Sequence, residues 1–246
     1  IYRPLGEGPH PALIFYHGGG FVIGDLNTHD KECRLLCAKA GCIVVAVDYR
    51  LAPESPFPAA VEDAWAALEW IASEGSKLGI DTTRLAVGGD SAGGNLSAVV
   101  ALMARDASLD LKLQMLVYPA TDASKYYESF SENKDGPLLT VEVIEWFWSH
   151  YLGKATGDEV RNDWRFSPAK AASHNGVAPS YIATCSADPL RDEGNAYAAQ
   201  LSEAGVNVQH SMFEGQPHIL FQLFNICEGG KDLIDECAAA LDKAFG

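Results

Sequence analysis

The stretch Leu85-Ala-Val-Gly-Gly-Asp-Ser-Ala-Gly-Gly-Asn95 constrains this chain more than any other. Leu85 to Val87 read as a short buried strand, and Leu96 to Arg105, rich in Ala and Leu, as a helix. Between them, Gly89 and Gly93 stand two residues either side of Ser91, the spacing G-x-S-x-G. A strand that turns at once into a helix holds its apex residue at a strained backbone angle and projects that side chain out of the turn. Glycine on both sides leaves room where a Cβ would clash. The helix that follows begins with free N–H groups and the positive end of its dipole, near any developing negative charge. The bland alternative is a Gly-rich turn; the strand before it and the helix after it favour a nucleophile. The rest of the chain must then supply a base, an acid and an oxyanion site.

Taken in order, the chain alternates strands and helices. Pro11 to Tyr16 is an apolar strand that runs into His17-Gly-Gly-Gly-Phe21. Three consecutive glycines suit a loop whose backbone N–H groups approach something closely, such as an oxyanion. A Walker-type phosphate loop would need a G-K-[ST] ending, which is absent. Asn27 to Ala40 has helical spacing and stops at Gly41, and Cys42 to Val47 is a β-branched run suited to a buried parallel strand. The loop Asp48-Tyr-Arg-Leu-Ala-Pro-Glu54 leads to a helix over Ala59 to Leu78. Leu111 to Val117 is another strand. Ser180 to Cys185 is a strand ending in Ser186-Ala-Asp188-Pro-Leu-Arg-Asp192, followed by a helix over Gly194 to Ala204. Val206 to Phe213 is the last strand, Glu214 to His218 the loop after it, and Lys231 to Phe245 an amphipathic closing helix. This alternation predicts an α/β fold: right-handed crossovers and a mostly parallel sheet flanked by helices, in one domain spanning 1–246.

The rhythm lapses once, over roughly 120–175, where the chain is polar and turn-rich apart from an aromatic helix at Val141 to Leu152. An interruption of that length is expected to be an insertion over the active site. Trp146 and Trp148, two apart, cannot share a helix face, so one set packs down while the other lines a pocket. Phe21, Trp146, Phe147 and Trp148 are the candidate substrate contacts.

Composition narrows the partners. At 246 residues the chain can bury a sizeable core. A net charge of -15 argues against nucleic acid and anionic membrane surfaces. No run of about 20 apolar residues is present, so no membrane span is expected. No signal peptide is visible, but the chain starts at Ile1 without Met, and an N-terminal segment is expected to be missing. The six cysteines, at 33, 37, 42, 185, 227 and 237, have no metal-type spacing and read as reduced structural thiols in the cytoplasm. No metal or cofactor is expected.

In an open α/β sheet, ligands bind beyond the carboxyl ends of the strands. His17-Gly-Gly-Gly20, Ser91, Asp188 and His218 all follow strands and should converge there. The chemistry assigns Ser91 as nucleophile, His218 as base and Asp188 as the acid that orients the imidazole. Backbone N–H groups of Gly18, Gly19 or Gly20, with Ala92, hold the oxyanion. Of seven histidines, only His218 lies in the loop after the last strand, whereas His17 braces the Gly loop. Asp192 and Glu193 compete with Asp188, but Asp192 opens the following helix as a cap or dipole partner.

His17-Gly-Gly-Gly-Phe, Asp48-Tyr-Arg-Leu-Ala-Pro-Glu, Gly89-Asp-Ser-Ala-Gly-Gly and Asp188-Pro-Leu-Arg-Asp-Glu together resemble the hormone-sensitive-lipase-like family of microbial carboxylesterases. The resemblance covers nearly the whole chain. It implies an α/β-hydrolase fold, no cofactor, hydrolysis of short- to medium-chain carboxylic esters, and a helical cap built from an N-terminal segment and the insertion. The chain departs from the pattern in lacking the N-terminal cap segment and in following His218 with Ile-Leu-Phe where the family often has Gly-Phe. Alternatives are a hydrolase of an amide, a lactone or an acetylated sugar, or a non-catalytic small-molecule receptor of the same fold. Relatives of the receptor kind have lost the catalytic histidine, which is present here. Val206 to Phe213 alternates in polarity without Pro or Lys, as a strand free to pair across a two-fold axis would, and a homodimer through it is expected.

Overall fold

The computed structural model describes residues 1–154 and 157–246. Six strands form one sheet: β1 His10–Tyr16, β2 Ile43–Val47, β3 Ile80–Asp90, β4 Leu113–Val117, β5 Ser180–Ala187 and β6 Val208–Pro217. Their spatial order is β2-β1-β3-β4-β5-β6, and every neighbouring pair is parallel. The helices are α1 Asp30–Ala40, α2 Ala59–Glu74, α3 Ala92–Asp106, α4 Glu128–Glu132, α5 Val141–Leu152, α6 Asp158–Arg161, α7 Arg191–Glu203 and α8 Glu228–Phe245. Among the described residues, no helix is long and apolar enough to cross a membrane.

Alternation along the strands divides the core in two. Ala12, Ile14 and Tyr16 of β1 face the layer built on α2 and α3, whereas Leu13 and Phe15 face α1 and α8. Side chains of β1 and β4 are buried almost throughout, as strands covered on both faces require. β6 has a neighbour on one side only, and its burial alternates with much weaker amplitude.

Several boundaries differ from the sequence reading. β3 begins at Ile80, five residues before Leu85, although its polar first half has only Ile80 paired with β1. The helix over 59–78 breaks at Gly75 into a 3-10 turn, Gly75–Leu78, where Gly79 takes a left-handed φ of 74°. β6 starts at Val208 and runs on to Pro217, so its far end does hold a proline.

The strand order reverses between β1 and β3. The loop after β1 leads to α1 on one face, and the turn after β3 leads to α3 on the other. The two connections part over the sheet edge and open a crevice there, the place where such folds bind ligands.

Candidate active site

Ser91 sits at the apex between β3 and α3 with φ 54° and ψ -117°, a strained backbone for a residue with a Cβ. The turn is possible because a Cβ on Gly89 or Gly93 would run into the Tyr16 carbonyl of the adjoining strand. The apex is tied down by the Ser91 N–H, which donates to the Val117 carbonyl at 2.9 Å.

His218, in the loop after β6, places Nε2 3.0 Å from Ser91 Oγ. Its Nδ1 lies 2.7 Å from Oδ2 of Asp188, which follows β5. The other Asp188 oxygen accepts the Leu190 N–H at 2.9 Å. Asp188 and His218 are both buried, and the Tyr118 ring packs 4.5 Å from the imidazole. A carboxylate at Nδ1 requires an N–H there, which leaves Nε2 with the lone pair that accepts the serine proton.

The loop after β1 supplies backbone donors. Gly19 and Gly20 have φ of 120° and 60°, and their N–H groups meet no protein acceptor among the described residues. The Ala92 N–H is the first of α3 and has no preceding helical turn to bond. Gly18 corrects the sequence reading. Its N–H is already given to Asp90 Oδ1 at 2.9 Å, so it braces the loop and is not a free donor. His17 braces it too: Nδ1 donates to the Gly18 carbonyl at 2.8 Å, and the ring stacks on Tyr49 at 4.4 Å. Burial holds the His17 pKa below the ordinary histidine value, which keeps the ring neutral.

Two cavities meet at Ser91. The larger, about 350 Å³, runs past Gly18 to Gly20 and His218 between Ile23, Leu138, Val143 and Phe147. The smaller, about 30 Å³, ends against Phe21, Ala120, Ile144, Trp148 and Leu190. Leu139 and Phe147 line both and form the partition. Among the described residues, no three His, Cys, Asp or Glu side chains gather as a metal-binding cluster.

Residues 13–222 match the family model described as alpha/beta hydrolase fold. The chain belongs to the alpha/beta-hydrolase family. Within the family it is 46% identical to the "Carboxylic ester hydrolase LipN" of Mycobacterium tuberculosis, over 98% of this chain and 65% of that protein. It is 41% identical to the "Ethyl acetate hydrolase" of Pseudomonas putida, over 93% of this chain and 72% of that one. The hyperthermophilic esterase of the archaeon Pyrobaculum calidifontis superposes with a TM-score of 0.93 at 41% identity, over 99% of this chain and 80% of that chain. This family member thus spans about two thirds to four fifths of the length of these relatives.

The aromatic helix α5 divides by helical period. Val143 and Phe147 face the larger cavity, and Ile144, Trp148 and Tyr151 turn inward. Trp146 corrects the reading of a substrate contact. It is 46% exposed, packs its ring at a tilt against His150 one turn on, and reaches neither cavity. Phe21 lines the smaller cavity with its ring stacked 3.9 Å from Tyr151. Asp192 lies in the first turn of α7 and accepts the Ser129 N–H at 2.9 Å, which ties α4 to α7. Glu193 is buried and accepts the Thr121 N–H at 2.6 Å.

Sequence reasoning missed Leu139, Ile144 and Leu190 as cavity walls, and it missed His29, Asp90 and Gln222 altogether. One signal was available for Asp90: a charged residue at the end of a buried strand needs a partner.

Proposed function

We propose that the protein is a serine carboxylesterase working through an acyl-enzyme. The observation that carries this reading is the unbroken hydrogen-bonded chain Asp188–His218–Ser91 beside the free N–H groups of Gly19, Gly20 and Ala92. Ser91 Oγ attacks the ester carbonyl while His218 Nε2 takes its proton. The carbonyl oxygen becomes an oxyanion held by those N–H groups. The intermediate collapses, and His218 gives the proton to the departing alkoxide, which leaves as the alcohol. A water then attacks the acyl-enzyme with His218 Nε2 again taking the proton, and on collapse His218 returns it to Ser91 Oγ as the carboxylic acid leaves. Asp188 holds the ring in the required tautomer and stabilises the imidazolium.

The names of the relatives favour ester chemistry over the amide alternative; a lactone and a sugar acetate are themselves carboxylic esters. The small cavity suits a short acyl group, and the larger one the alcohol portion. The insertion over 120–175 acts as a cap, since α5 walls both cavities. A series of chromogenic esters of rising acyl length tests this: activity should be greatest at short chains and fall as the acyl group outgrows the small cavity. An organophosphonate should modify the peptide carrying Ser91 alone; an adduct elsewhere refutes the mechanism.

Two further readings belong with it. All six cysteines are free and five of them are buried, which suits a reducing, cytoplasmic setting. β6 is a sheet edge with Met212 44% exposed, which supports a homodimer through paired last strands. Light scattering across a dilution series tests the dimer, and a protein that stays monomeric at high concentration refutes it.

A further inference from the structure

A second carboxylate–histidine pair lies behind the oxyanion loop. Asp90 ends β3, next to Ser91, and is 1% exposed; His29 precedes α1 and is 3% exposed. His29 Nε2 lies 3.1 Å from Asp90 Oδ1 and 3.3 Å from Oδ2. The same Oδ1 accepts the Gly18 N–H at 2.9 Å. On the other side of the ring, His29 Nδ1 lies 2.9 Å from Thr28 Oγ1. That hydroxyl gives its own proton to the Asp25 carbonyl at 2.8 Å, so toward His29 it can only accept.

Nδ1 therefore faces the Thr28 oxygen, and Nε2 faces the Asp90 carboxylate. A neutral imidazole has one N–H and would leave its other lone pair against an oxygen. A carboxylate this deeply buried also needs a cation, and among the described residues no Lys or Arg pairs with it. An imidazolium satisfies both requirements at once. The Gln222 amide nitrogen lies 2.8 Å from the same Nε2, and beside an imidazolium that amide turns over to present its oxygen. Gln222 lies four residues past His218, so the network spans from the oxyanion loop to the loop of the catalytic base.

We propose that His29 is a positioning residue: as a buried imidazolium paired with Asp90, it fixes the carboxylate that holds the Gly18 N–H and so aims the free N–H groups of Gly19 and Gly20. This rests on the oxyanion role assigned to that loop above. The surrounding charges agree. Glu32 on the same helix and Asp25 in the preceding loop add negative potential, His17 packs its neutral ring 5.7 Å away, and Phe15 of β1 and Gln222 are uncharged. Burial pushes the His29 pKa down, and the Asp90 charge and hydrogen bond outweigh it and hold the ring above the ordinary histidine value. Burial likewise pushes Asp90 up, and His29 brings it below the usual carboxylate range. The pairing is therefore complete below the ordinary histidine pKa and is lost as pH rises through the raised value in the folded state. Above that point the oxyanion loop loses its anchor.

The test is side-chain 15N NMR of the wild type together with pH–rate profiles on a short-chain chromogenic ester for the wild type and His29→Gln. At about pH 7.5, where an ordinary histidine is neutral, both His29 nitrogens should carry protons. His29→Gln should lower kcat about tenfold, short of the loss from removing an oxyanion donor, with KM little changed. It should also abolish the alkaline fall in kcat, while phosphonate still labels Ser91 in full. A neutral His29 ring at that pH overturns the proposal, as does a His29→Gln profile identical to wild type. If His29→Gln does not fold, the wild-type NMR titration decides alone. Failure of the esterase reading looks different: phosphonate would not label Ser91, whatever the charge on His29.

Discussion

Two Asp–His pairs at the C-terminal edge of one sheet are built alike. Asp188 and Asp90 are both buried at strand ends, and each accepts a backbone N–H at 2.9 Å, from Leu190 and Gly18 respectively. Each holds a buried histidine. What differs is the hydroxyl beyond the ring. Ser91 Oγ has no other side-chain partner among the described residues, so its proton points to His218. Thr28 Oγ1 has committed its proton to a carbonyl, so it takes one from His29. The first arrangement calls for a neutral ring ready to accept a proton, the second for a ring that already holds one. A carboxylate beside a histidine does not by itself make a base. The direction of the third hydrogen bond decides.

The sharpest way to break the comparison is to make the same change in both pairs, after removing the serine as a reference. Ser91→Ala should lower kcat by about 10⁶ with an unchanged circular dichroism spectrum. Asp188→Asn should lower kcat about 10⁴-fold, because His218 loses the anion that sets its tautomer. Asp192→Asn, which removes an α4–α7 tie and nothing at the ring, should have a much smaller effect. If the two effects were reversed, Asp192 would be the acid. In the other pair, Asp90→Asn should cost about 10- to 100-fold in kcat, less than Asp188→Asn, because it displaces an oxyanion loop and leaves the base intact. It should cost more in stability, about 3–5 kcal/mol for a broken buried pair, read as a fall in denaturant midpoint. Equal kinetic losses in the two Asn variants would erase the distinction between the pairs.

The first pair was legible in the sequence and the second was not, for a physical reason. Ser91, Asp188 and His218 each follow a strand with local turn chemistry, and the α/β rule brings all strand ends to one edge. That inference needs no knowledge of which side chains touch. His29 sits in a loop before a helix, and its partner Asp90 is brought to it only by the parallel register of β1 and β3 and the path of the chain after β1. The glycines teach the same lesson. Three in a row mark a loop of closely approaching backbone N–H groups, but only the fold reveals that the Gly18 N–H turns back to Asp90 while Gly19 and Gly20 keep theirs. On α5, the spacing of two separates Trp146 from Trp148, but not which of them faces out.

A smaller effect is expected where the cavities meet. Phe147 packs against Gly20 so closely that a Cβ there would strike its ring, and with Leu139 it separates the two cavities. Phe147→Ala should join them and move the preferred acyl chain to longer lengths. Each added CH₂ accommodated contributes about 0.8 kcal/mol, roughly fourfold in kcat/KM. Trp146→Ala, on the outer face of the same helix, should leave the acyl profile unchanged. If Trp146→Ala shifts the profile as much as Phe147→Ala, the assignment of faces on α5 is wrong for the working enzyme.

A third buried carboxylate, Glu193, has no histidine beside it among the described residues. Glu193 is 1% exposed and accepts the Thr121 N–H at 2.6 Å and the Asp122 N–H at 3.4 Å. Its Oε2 has no partner among the described residues. Burial raises its pKa well above the ordinary glutamate value, the two N–H bonds oppose this, and the Asp122 and Asp188 charges add to the rise. Asp90 gains a cation and ionises; Glu193 has none and keeps its proton. The folded state therefore holds a proton that the unfolded chain releases near pH 4.3. Stability from this group is complete below that pH and falls as pH rises toward the raised folded value. Gln cannot ionise and keeps the carbonyl oxygen for Thr121. Relative to wild type, Glu193→Gln should gain about 1.4 kcal/mol for each pH unit above about 4.5 over which Glu193 keeps its proton, read from urea midpoints. A difference that does not change with pH would mean that Glu193 is ionised in the folded protein, and that two backbone N–H groups can replace a histidine as the partner of a buried carboxylate here.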